Sequence, residues 1–305
     1  MGLKKRGSPV HGWVVFDKPL NMTSTQAVGK IRWLFNAAKA GHGGTLDPLA
    51  TGLLPIALGE ATKTVQWAME GQKTYQFRAQ WGVETTTDDL EGDKVAESAL
   101  RPIGSQIEAI LSDFSGDIMQ APPAFSAIKI YGERAYDLAR AGNAPEMQPR
   151  PVRIDGLKLI ATTQDHADFE VTCGKGTYIR SLARDMGRKL GCLAHVTLLR
   201  RTKVGPFNES HMISLETLEE LRHKPAHEGA LQGALHSIVT VLDGIPALAV
   251  MDQDAAKLRQ GQSVLLRGAN APVNCDAVLV NHDGRPLGIC EIRQGSLKTK
   301  RLFNL

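Results

Sequence analysis

The sequence predicts an α+β fold in which a mixed, mainly antiparallel sheet is flanked by helices and followed by a small β-rich domain. Residues 74–81 alternate between apolar and polar side chains, as expected of a half-buried strand. The apolar face of that strand would carry Tyr75, Phe77, Ala79 and Trp81. Helical spacing instead relates Ile179, Leu182, Ala183, Met186 and Leu190, and Gly191 provides the end of that helix.

The N-terminal part begins with a short buried strand and a helix. Residues 12–16 (Gly-Trp-Val-Val-Phe) form an apolar run that ends at Asp17-Lys18-Pro19. Thr23, Ser24 or Thr25 can cap the helix that follows. Its apolar stripe comprises Val28, Ile31, Leu34 and Phe35, and a glycine-rich segment occupies residues 41–52.

The middle of the chain mixes polar turns with further elements. We predict a polar, turn-rich segment at 85–93, an amphipathic helix marked by Ile103, Ile107, Ile110 and Leu111, and a proline-rich excursion near 120–153. A short helix around Arg134–Ala141 fits within that excursion. Strands follow near 154–161, 168–174 and 196–199.

The pattern changes after a helix near 214–223. Segment 224–235 is rich in Gly, His, Pro and Ala, which predicts a linker or a loosely packed connection. A helix at Gln253–Gln260, closed by Gly261, and a hairpin turn at His282-Asp283-Gly284 then follow. We therefore predict a catalytic domain over 1–235 and a small β-rich domain over 240–305.

Composition describes an ordinary globular protein. The 305 residues carry a formal net charge of +4, and the four cysteines show no zinc-ligand spacing. We expect free thiols in a reducing compartment. The basic N-terminus lacks the apolar run of a signal peptide, and no stretch approaches the roughly 20 apolar residues of a membrane span. A cytoplasmic monomer is the expectation.

Asp47 lies in the most unusual segment of the chain, Gly41-His-Gly-Gly-Thr-Leu-Asp-Pro-Leu-Ala-Thr-Gly52. Taken alone, an Asp before Pro is a turn residue. The crowded glycines instead favour a backbone that closely approaches another group. Their spacing is neither a phosphate-binding nor a dinucleotide-binding motif. The loop is therefore expected to present a carboxylate.

Three further residues have both a structural and a functional interpretation. Tyr75 is either a core aromatic or a platform on which a nucleobase stacks. Tyr178 and Arg180 follow Gly174-Lys175-Gly176, where glycines again allow a close approach of the backbone. Arg180 is either a solvated helix residue or the partner of a buried carboxylate, which it would hold ionised.

Basic residues are concentrated between Lys175 and Lys203. Asp185 is the only acid in that span, and surface helices normally mix the two signs. The span therefore favours a polyanionic partner over a solvated helix face.

The glycine-rich loop resembles the signature of the bacterial tRNA pseudouridine-55 synthase family. Other blocks resemble that family in the same order, and the likeness covers residues 12–210. These blocks are Gly12–Pro19, Gly59–Lys63, Lys73–Tyr75, Ala121–Lys129, Gly174–Arg180 and Leu199–Arg201. A weaker likeness relates residues 240–305 to the small RNA-binding PUA-type domain.

The resemblance implies isomerisation of uridine 55 in the T-loop of tRNA, with a pseudouridine synthase fold and neither cofactor nor metal. Asp47 matches the family's nucleophile, Tyr75 the tyrosine that stacks on the flipped base, and Arg180 the charge partner of the nucleophile. The remaining matches to the substrate pocket are His42, Tyr178 and Leu199. The segment near 120–153 corresponds to an insertion that clamps the T-arm.

The chain departs from the family pattern at a few positions. Asn21 stands where glycine is common, Gly43 where a β-branched or small residue is common, and Thr86 where an acid is common, whereas Asp89 matches an acidic position. These departures concern loop details rather than the pocket.

Two other functions compete with the isomerase. A non-catalytic RNA-binding or RNA-folding protein would need only the basic span, the clamp and the C-terminal domain, and this role can coexist with catalysis. A carboxylate-dependent glycoside hydrolase would need a second carboxylate, for which Asp88 or Asp89 could serve without a supporting motif.

Overall fold

The computed structural model describes residues 7–126, 128–130, 132–143, 145–224, 227–268 and 271–305. Its helices are α1 (Ser24–Leu34), α2 (Val65–Glu70), α3 (Gly104–Ile110), α4 (Ala135–Arg140), α5 (Ile179–Leu190), α6 (Leu215–His223), α7 (His227–Gln232) and α8 (Asp252–Arg259). Short 3-10 segments occupy Gly59–Lys63, Leu111–Phe114, Glu209–His211 and Thr240–Leu242. Within the described ranges, every helix falls short of the length or the hydrophobicity that a membrane crossing demands.

The strands fall into two main sheets and two small hairpins. In chain order they are β1 (Gly12–Lys18), β2 (Ala40–His42), β3 (Ala50–Leu58), β4 (Lys73–Trp81), β5 (Val83–Thr85), β6 (Lys94–Glu97), β7 (Gly116–Gln120), β8 (Lys129–Ile130), β9 (Glu133–Arg134), β10 (Arg150–Thr162), β11 (His166–Cys173), β12 (Ala194–Val204), β13 (Phe207–Asn208), β14 (Ala247–Ala249), β15 (Val264–Leu265), β16 (Cys275–His282), β17 (Arg285–Arg293) and β18 (Ser296–Leu302).

The larger sheet is mixed and mainly antiparallel, as predicted. Its order is β1-β3-β12-β4-β11-β10-β7, with β2 added to β3 and β13 to β12. Only β3 and β12 run parallel among these pairs, and Ala50 lies opposite Leu199. The start of β3, which directly follows the glycine-rich loop, therefore lies beside the middle of β12.

Helices cover the larger sheet and bury its apolar residues. The alternation predicted for residues 74–81 places Phe77, Ala79 and Trp81 in one core with α5. Helix α1 packs its buried Ala27, Ile31 and Leu34 against β1 and β3. Thr23 caps α1 by accepting a hydrogen bond from the Gln26 amide, so one of the three predicted caps is used.

The smaller sheet has the order β14-β16-β17-β18-β15 and lies in the C-terminal part of the chain. The predicted hairpin joins β16 to β17, and both turn residues, Asp283 and Gly284, adopt the left-handed backbone conformation. Ile289 and Phe303 join an apolar cluster with Trp13 of β1, so the two sheets share a core. The domain division between residues 235 and 240 stays a prediction.

Several predicted boundaries were wrong. The described part of segment 224–235 is not a loose connection, because α7 lies within it and Leu231 is buried, whereas residues 225 and 226 lie outside the described ranges. The helix marked by Ile103 begins one residue later and leaves that side chain 63% exposed. The strand predicted at 154–161 extends over 150–162, and the short strand at 196–199 is part of the longer β12. Short-range periodicity misses the ends of β10 and β12 because pairing with distant strands extends each of them.

We predict that Gly52→Ala destabilises the fold by about 2–4 kcal/mol. Gly52 has a φ of +95°, and an added Cβ would lie 2.4 Å from the Arg201 carbonyl oxygen. Gly41→Ala is the matched control, because nothing lies within 4 Å of its added Cβ. Urea unfolding of both variants measures the difference, and equal midpoints would contradict this account of the β3–β12 contact.

Candidate active site

Asp47 lies in the tight connection between β2 and β3, and the backbone of this loop is well bonded. Gly43 N donates to the Pro55 carbonyl at 2.8 Å, and Ala50 N donates to the Asp47 carbonyl at 3.1 Å. Asn21 N donates to the Pro48 carbonyl at 2.9 Å. These bonds fix the chain on both sides of the carboxylate.

Two buried polar side chains from the first strand and helix also hold the loop. Ser24 Oγ both donates to the Leu46 carbonyl and accepts from the Leu46 amide, each at 2.9 Å. Lys18 is fully buried, and its Nζ donates to the Met22 carbonyl at 2.7 Å and the Pro48 carbonyl at 3.3 Å. Burial lowers the pKa of Lys18 to about 8, although the nearby Asp47 carboxylate opposes that shift.

Arg201 is the third buried anchor of the loop and is 1% exposed. Its Nε donates to the Leu53 carbonyl at 2.7 Å, its Nη1 to the Thr45 carbonyl at 3.3 Å and its Nη2 to the Gly44 carbonyl at 3.2 Å. The sequence assigned this residue to a basic surface for a polyanion. That assignment was wrong, because the buried guanidinium donates its hydrogen bonds to backbone carbonyls of the glycine-rich loop.

Asp47 and Arg180 form an ion pair. Arg180 Nε lies 3.0 Å from Asp47 Oδ2, and the exposed fractions of the two side chains are 8% and 39%. The rest of the guanidinium is committed elsewhere: Nη1 donates to the Thr87 carbonyl at 2.8 Å, and Nη2 donates to the Phe125 carbonyl at 3.1 Å. Arg180 is therefore a fixed partner, whereas the carboxylate remains reachable.

A cleft opens beside this ion pair. Asp89 contributes a carboxylate to the cleft, and its Oδ2 lies 3.5 Å from Arg180 Nη1. The other lining residues are Leu49, Ala50, Val196, Thr197, Leu198 and Leu199. Three charged groups, those of Asp47, Asp89 and Arg180, thus face a mostly apolar wall.

The structure brings three of the six predicted site residues, Asp47, Arg180 and Leu199, directly into this cleft. The two tyrosines lie around it without lining it. Burial raises the pKa of Tyr75 and of Tyr178, and the Asp47 carboxylate adds to both shifts. Tyr75 and Leu199 both pack against the apolar cluster that includes Phe77, and the Arg201 guanidinium carbon lies 5.9 Å from the centre of the Tyr75 ring.

His42 is the last residue of β2 and begins the loop that carries Asp47. Its imidazole is half-buried, and burial followed by the charge of Arg201 lowers its pKa. The ring is therefore neutral at pH 7, which suits contact with a nucleoside rather than with a phosphate.

Sequence reasoning missed Gln120, which positions Tyr178. The Tyr178 amide donates to Gln120 Oε1 at 2.8 Å, and Gln120 Nε2 donates to the Tyr178 carbonyl at 3.1 Å. Gln120 ends β7, where the proline-rich excursion begins, and is 2% exposed. The excursion is thus tied to the site at its base, and no local signal identified a buried glutamine there.

The polar segment 85–93 is also more buried than the sequence indicated. The backbone of Asp88 adopts a left-handed conformation with a φ of +61°. Arg184 Nη1 donates a hydrogen bond to Asp88 Oδ2 at 2.9 Å. Burial raises the pKa of Asp88 to about 6 even though Arg184 opposes the shift. Asp89 accepts hydrogen bonds from the Thr87 hydroxyl and from the Glu91 amide. Both carboxylates therefore have a structural role as partners of buried arginines, Asp88 with Arg184 and Asp89 with Arg180.

The basic span between Lys175 and Lys203 is largely neutralised. Distant elements supply the acids that the local sequence lacks, so the surplus of positive charge is smaller than the span alone indicates, and its role toward a polyanionic partner stays a prediction. The pairs are Arg184 with Asp88, Arg188 with Glu84, Lys189 with Asp113, and Arg200 with Asp17 and Glu209.

The departures from the family pattern fit their surroundings. Asn21 adopts a left-handed φ of +63°, a conformation that glycine and asparagine tolerate best. Gly43 leaves no room for a side chain, because an added Cβ would lie 2.8 Å from the Ala68 Cβ. Thr86 Oγ1 accepts from the Asp93 amide at 3.1 Å and so closes the turn.

Family models cover most of the chain. A model described as the N-terminal domain of the TruB family of pseudouridylate synthases matches residues 32–179. Models described as the tRNA pseudouridylate synthase B C-terminal domain and the pseudouridine synthase II TruB C-terminal region match residues 180–243 and 246–303. Together with the relatives described next, these matches show that the chain belongs to the TruB family of pseudouridine synthases.

Curated relatives carry the more particular name tRNA pseudouridine synthase B. The protein of that name from Bradyrhizobium diazoefficiens is 57% identical, and the alignment covers 97% of this chain and 86% of the relative. The protein from Agrobacterium fabrum is 51% identical, with 98% and 96% covered. The chain therefore spans nearly the whole length of such enzymes.

Solved structures share the fold at low sequence identity. A structure described as an H/ACA RNP bound to a substrate RNA containing 2′-deoxyuridine includes a chain with a TM-score of 0.75 and 22% identity, over 100% of this chain and 92% of that one. A Cbf5-Nop10-Gar1 complex gives a TM-score of 0.73 and 24% identity, with 95% and 84% covered. The predicted pseudouridine synthase fold is thereby confirmed.

We predict that Arg201→Lys destabilises the protein by roughly 2–4 kcal/mol, since an ammonium cannot reach three carbonyls spread along the loop. Arg200→Lys is the matched control on the neighbouring residue, because its ion pairs are partly solvated and contribute under about 1 kcal/mol. Thermal unfolding compares the two. If the Arg200 variant lost more stability than the Arg201 variant, the anchoring role of Arg201 would be refuted.

Proposed function

We propose that the protein converts uridine 55 in the T-loop of tRNA to pseudouridine and that Asp47 is the nucleophile. The observation that carries this proposal is the Asp47–Arg180 ion pair, in which a reachable carboxylate meets a buried, fixed guanidinium in an apolar cleft. The relatives named tRNA pseudouridine synthase B support tRNA as the substrate. The choice of position 55 within tRNA follows from the resemblance of the glycine-rich loop to the signature of the bacterial tRNA pseudouridine-55 synthase family.

The chemistry requires a nucleophile that also departs. In the isomerisation, the bond between the ribose C1′ and uracil N1 breaks, and a bond between C1′ and uracil C5 forms. C5 loses its proton and N1 gains one, so that the product is an isomer of the substrate. A carboxylate can form a transient covalent bond and leave again as the base is reattached. Arg180 supplies the matching positive charge, because its Nε lies 3.0 Å from Asp47 Oδ2.

The uridine must leave the folded loop before Asp47 can reach it. Flipping costs a few kcal/mol, which stacking and edge contacts in the pocket offset. We assign stacking on the extruded base to Tyr75. Tyr178 and Leu199 complete the pocket, and His42 helps to hold the extruded nucleotide.

RNA binding extends beyond the pocket in this proposal. The segment near 120–153 clamps the T-arm, and its base is already tied to Tyr178 through Gln120. The smaller sheet supplies a second, PUA-like RNA surface. The reaction proceeds without cofactor or metal, and the enzyme acts as a monomer. We place it in the cytoplasm, where thiols such as those of the four free cysteines persist.

The glycoside hydrolase alternative is disfavoured by the placement of its second carboxylate. Asp88 pairs with Arg184, and Asp89 is bonded to Thr87 and Glu91 and faces Arg180. An acid–base residue must exchange protons with substrate and water. Both acids are buried and engaged in structural bonds.

We predict that Asp47→Asn lowers pseudouridine formation in an unmodified tRNA transcript by at least about a thousand-fold while tRNA binding persists. The amide cannot act as the nucleophile, but it preserves the shape of the loop. Asp113→Asn, which removes only a surface pair with Lys189, should retain full activity. Mapping of pseudouridine, combined with filter binding, measures both quantities.

Conversion at position 55 by the Asp47 variant would refute its role as nucleophile. Conversion by the wild type at another uridine would instead refute the assignment to position 55. A truncated T-arm stem-loop distinguishes recognition of that arm from recognition of the whole tRNA, because only T-arm recognition predicts that the stem-loop remains a substrate.

We further predict that Tyr75→Leu lowers kcat/KM roughly 5- to 150-fold, which corresponds to the loss of one stacked base. Tyr75→Phe keeps the aromatic ring and should lose less. Steady-state kinetics on the T-arm stem-loop measures kcat/KM for both variants and so separates the contribution of the ring from that of the hydroxyl. Equal losses in the two variants would locate the contribution in the hydroxyl and not in stacking.

A further inference from the structure

Thr197 occupies an irregular position in β12, directly beside the cleft. Val196 lies opposite Ala79 and Leu198 lies opposite Arg78, so Thr197 has no opposing residue on β4, a strand that the structure describes in full. This is a β-bulge, a feature that re-aims side chains and is frequent next to active sites. The strand is fixed there, because Val196 N donates to the Asp88 carbonyl at 2.9 Å.

The hydroxyl of Thr197 has unused hydrogen-bonding capacity. Thr197 lines the same cleft as Asp47 and Arg180, but its buried Oγ1 makes no hydrogen bond to any part of the chain that the structure describes. Buried hydroxyls are normally bonded, and an unbonded one costs stability. The adjoining wall residues Val196, Leu198 and Leu199 have hydrocarbon side chains.

We propose that Thr197 is a further substrate-binding residue whose hydroxyl hydrogen-bonds an edge atom of the uracil held in the cleft. This inference rests on the proposed uridine isomerisation. A hydroxyl both donates and accepts, and uracil presents two carbonyl oxygens and one N–H on its edge. The residue is partly exposed, and a χ1 rotation of about 120° carries the hydroxyl to the position that the methyl group now occupies, so that the hydroxyl can face the bound base.

Such a bond would add selectivity that the charged pair cannot provide. Asp47 and Arg180 respond mainly to charge, and Tyr75 would stack on any base, since every base has a π-face. A polar atom in an otherwise apolar wall instead discriminates by the edge of the base, because a base without a matching group leaves the hydroxyl unbonded. Thr197 would thus help the cleft to accept uracil.

The test compares Thr197→Val, which removes the hydroxyl and keeps the shape, with Thr197→Ser, which keeps the hydroxyl. We expect kcat/KM on the T-arm stem-loop to fall about 3- to 10-fold for the valine variant and to stay within about twofold of wild type for the serine variant. The melting temperature of the valine variant should be equal to or above that of wild type, since the hydroxyl has no hydrogen-bond partner among the residues that the structure describes.

Three results would overturn the inference. Unchanged kcat/KM in the valine variant would show that the hydroxyl does not contact substrate. Equal losses in both variants would assign the effect to packing, and a lower melting temperature of the valine variant with a matching loss of activity would assign it to structure. Failure of the proposed function is recognised separately, because wild type would then form no pseudouridine at all.

Discussion

The active site depends on burying a guanidinium beneath a glycine-rich loop. Removing a charge from water is costly unless hydrogen bonds replace its hydration. Arg201 meets that requirement with three backbone carbonyls, two of them from Gly44 and Thr45. Glycine is needed here because the backbone must both approach the guanidinium and adopt a φ of +120° at Gly44. The position of Asp47 follows from this arrangement.

Different elements supply the cations around Asp47, and each has its own hydrogen bonds. Lys18 of β1 and Arg201 of β12 bind the backbone of the loop, whereas Arg180 of α5 meets the carboxylate itself. Arg180 is also bonded to the Thr87 and Phe125 carbonyls, so it stays in place when the charge of its partner changes. A preorganised cation of this kind stabilises a carboxylate without having to reorganise during the reaction.

The parallel pairing of β3 with β12 explains why the cleft and the loop meet. It brings Ala50 beside Leu199, and the bulge at Thr197 lies only two residues before Leu199 in β12. The segment 85–93 bonds to β12 at the same place through Asp88 and Val196. One short stretch of β12 therefore provides the apolar wall, the bulge and the support for the buried acids.

Local sequence was sufficient for the strand at 74–81, for helices α1 and α5, for the C-terminal hairpin and for the nomination of Asp47, because periodicity, caps and turn residues are local properties. It failed for the basic span, where Arg184, Arg188 and Arg200 find acids that are distant in the chain. It gave no sign that Arg201 is buried or that Thr197 forms a bulge. Tertiary structure decided these features, because the pairing of strands and the packing of helices against them determine which distant charges and carbonyls become neighbours.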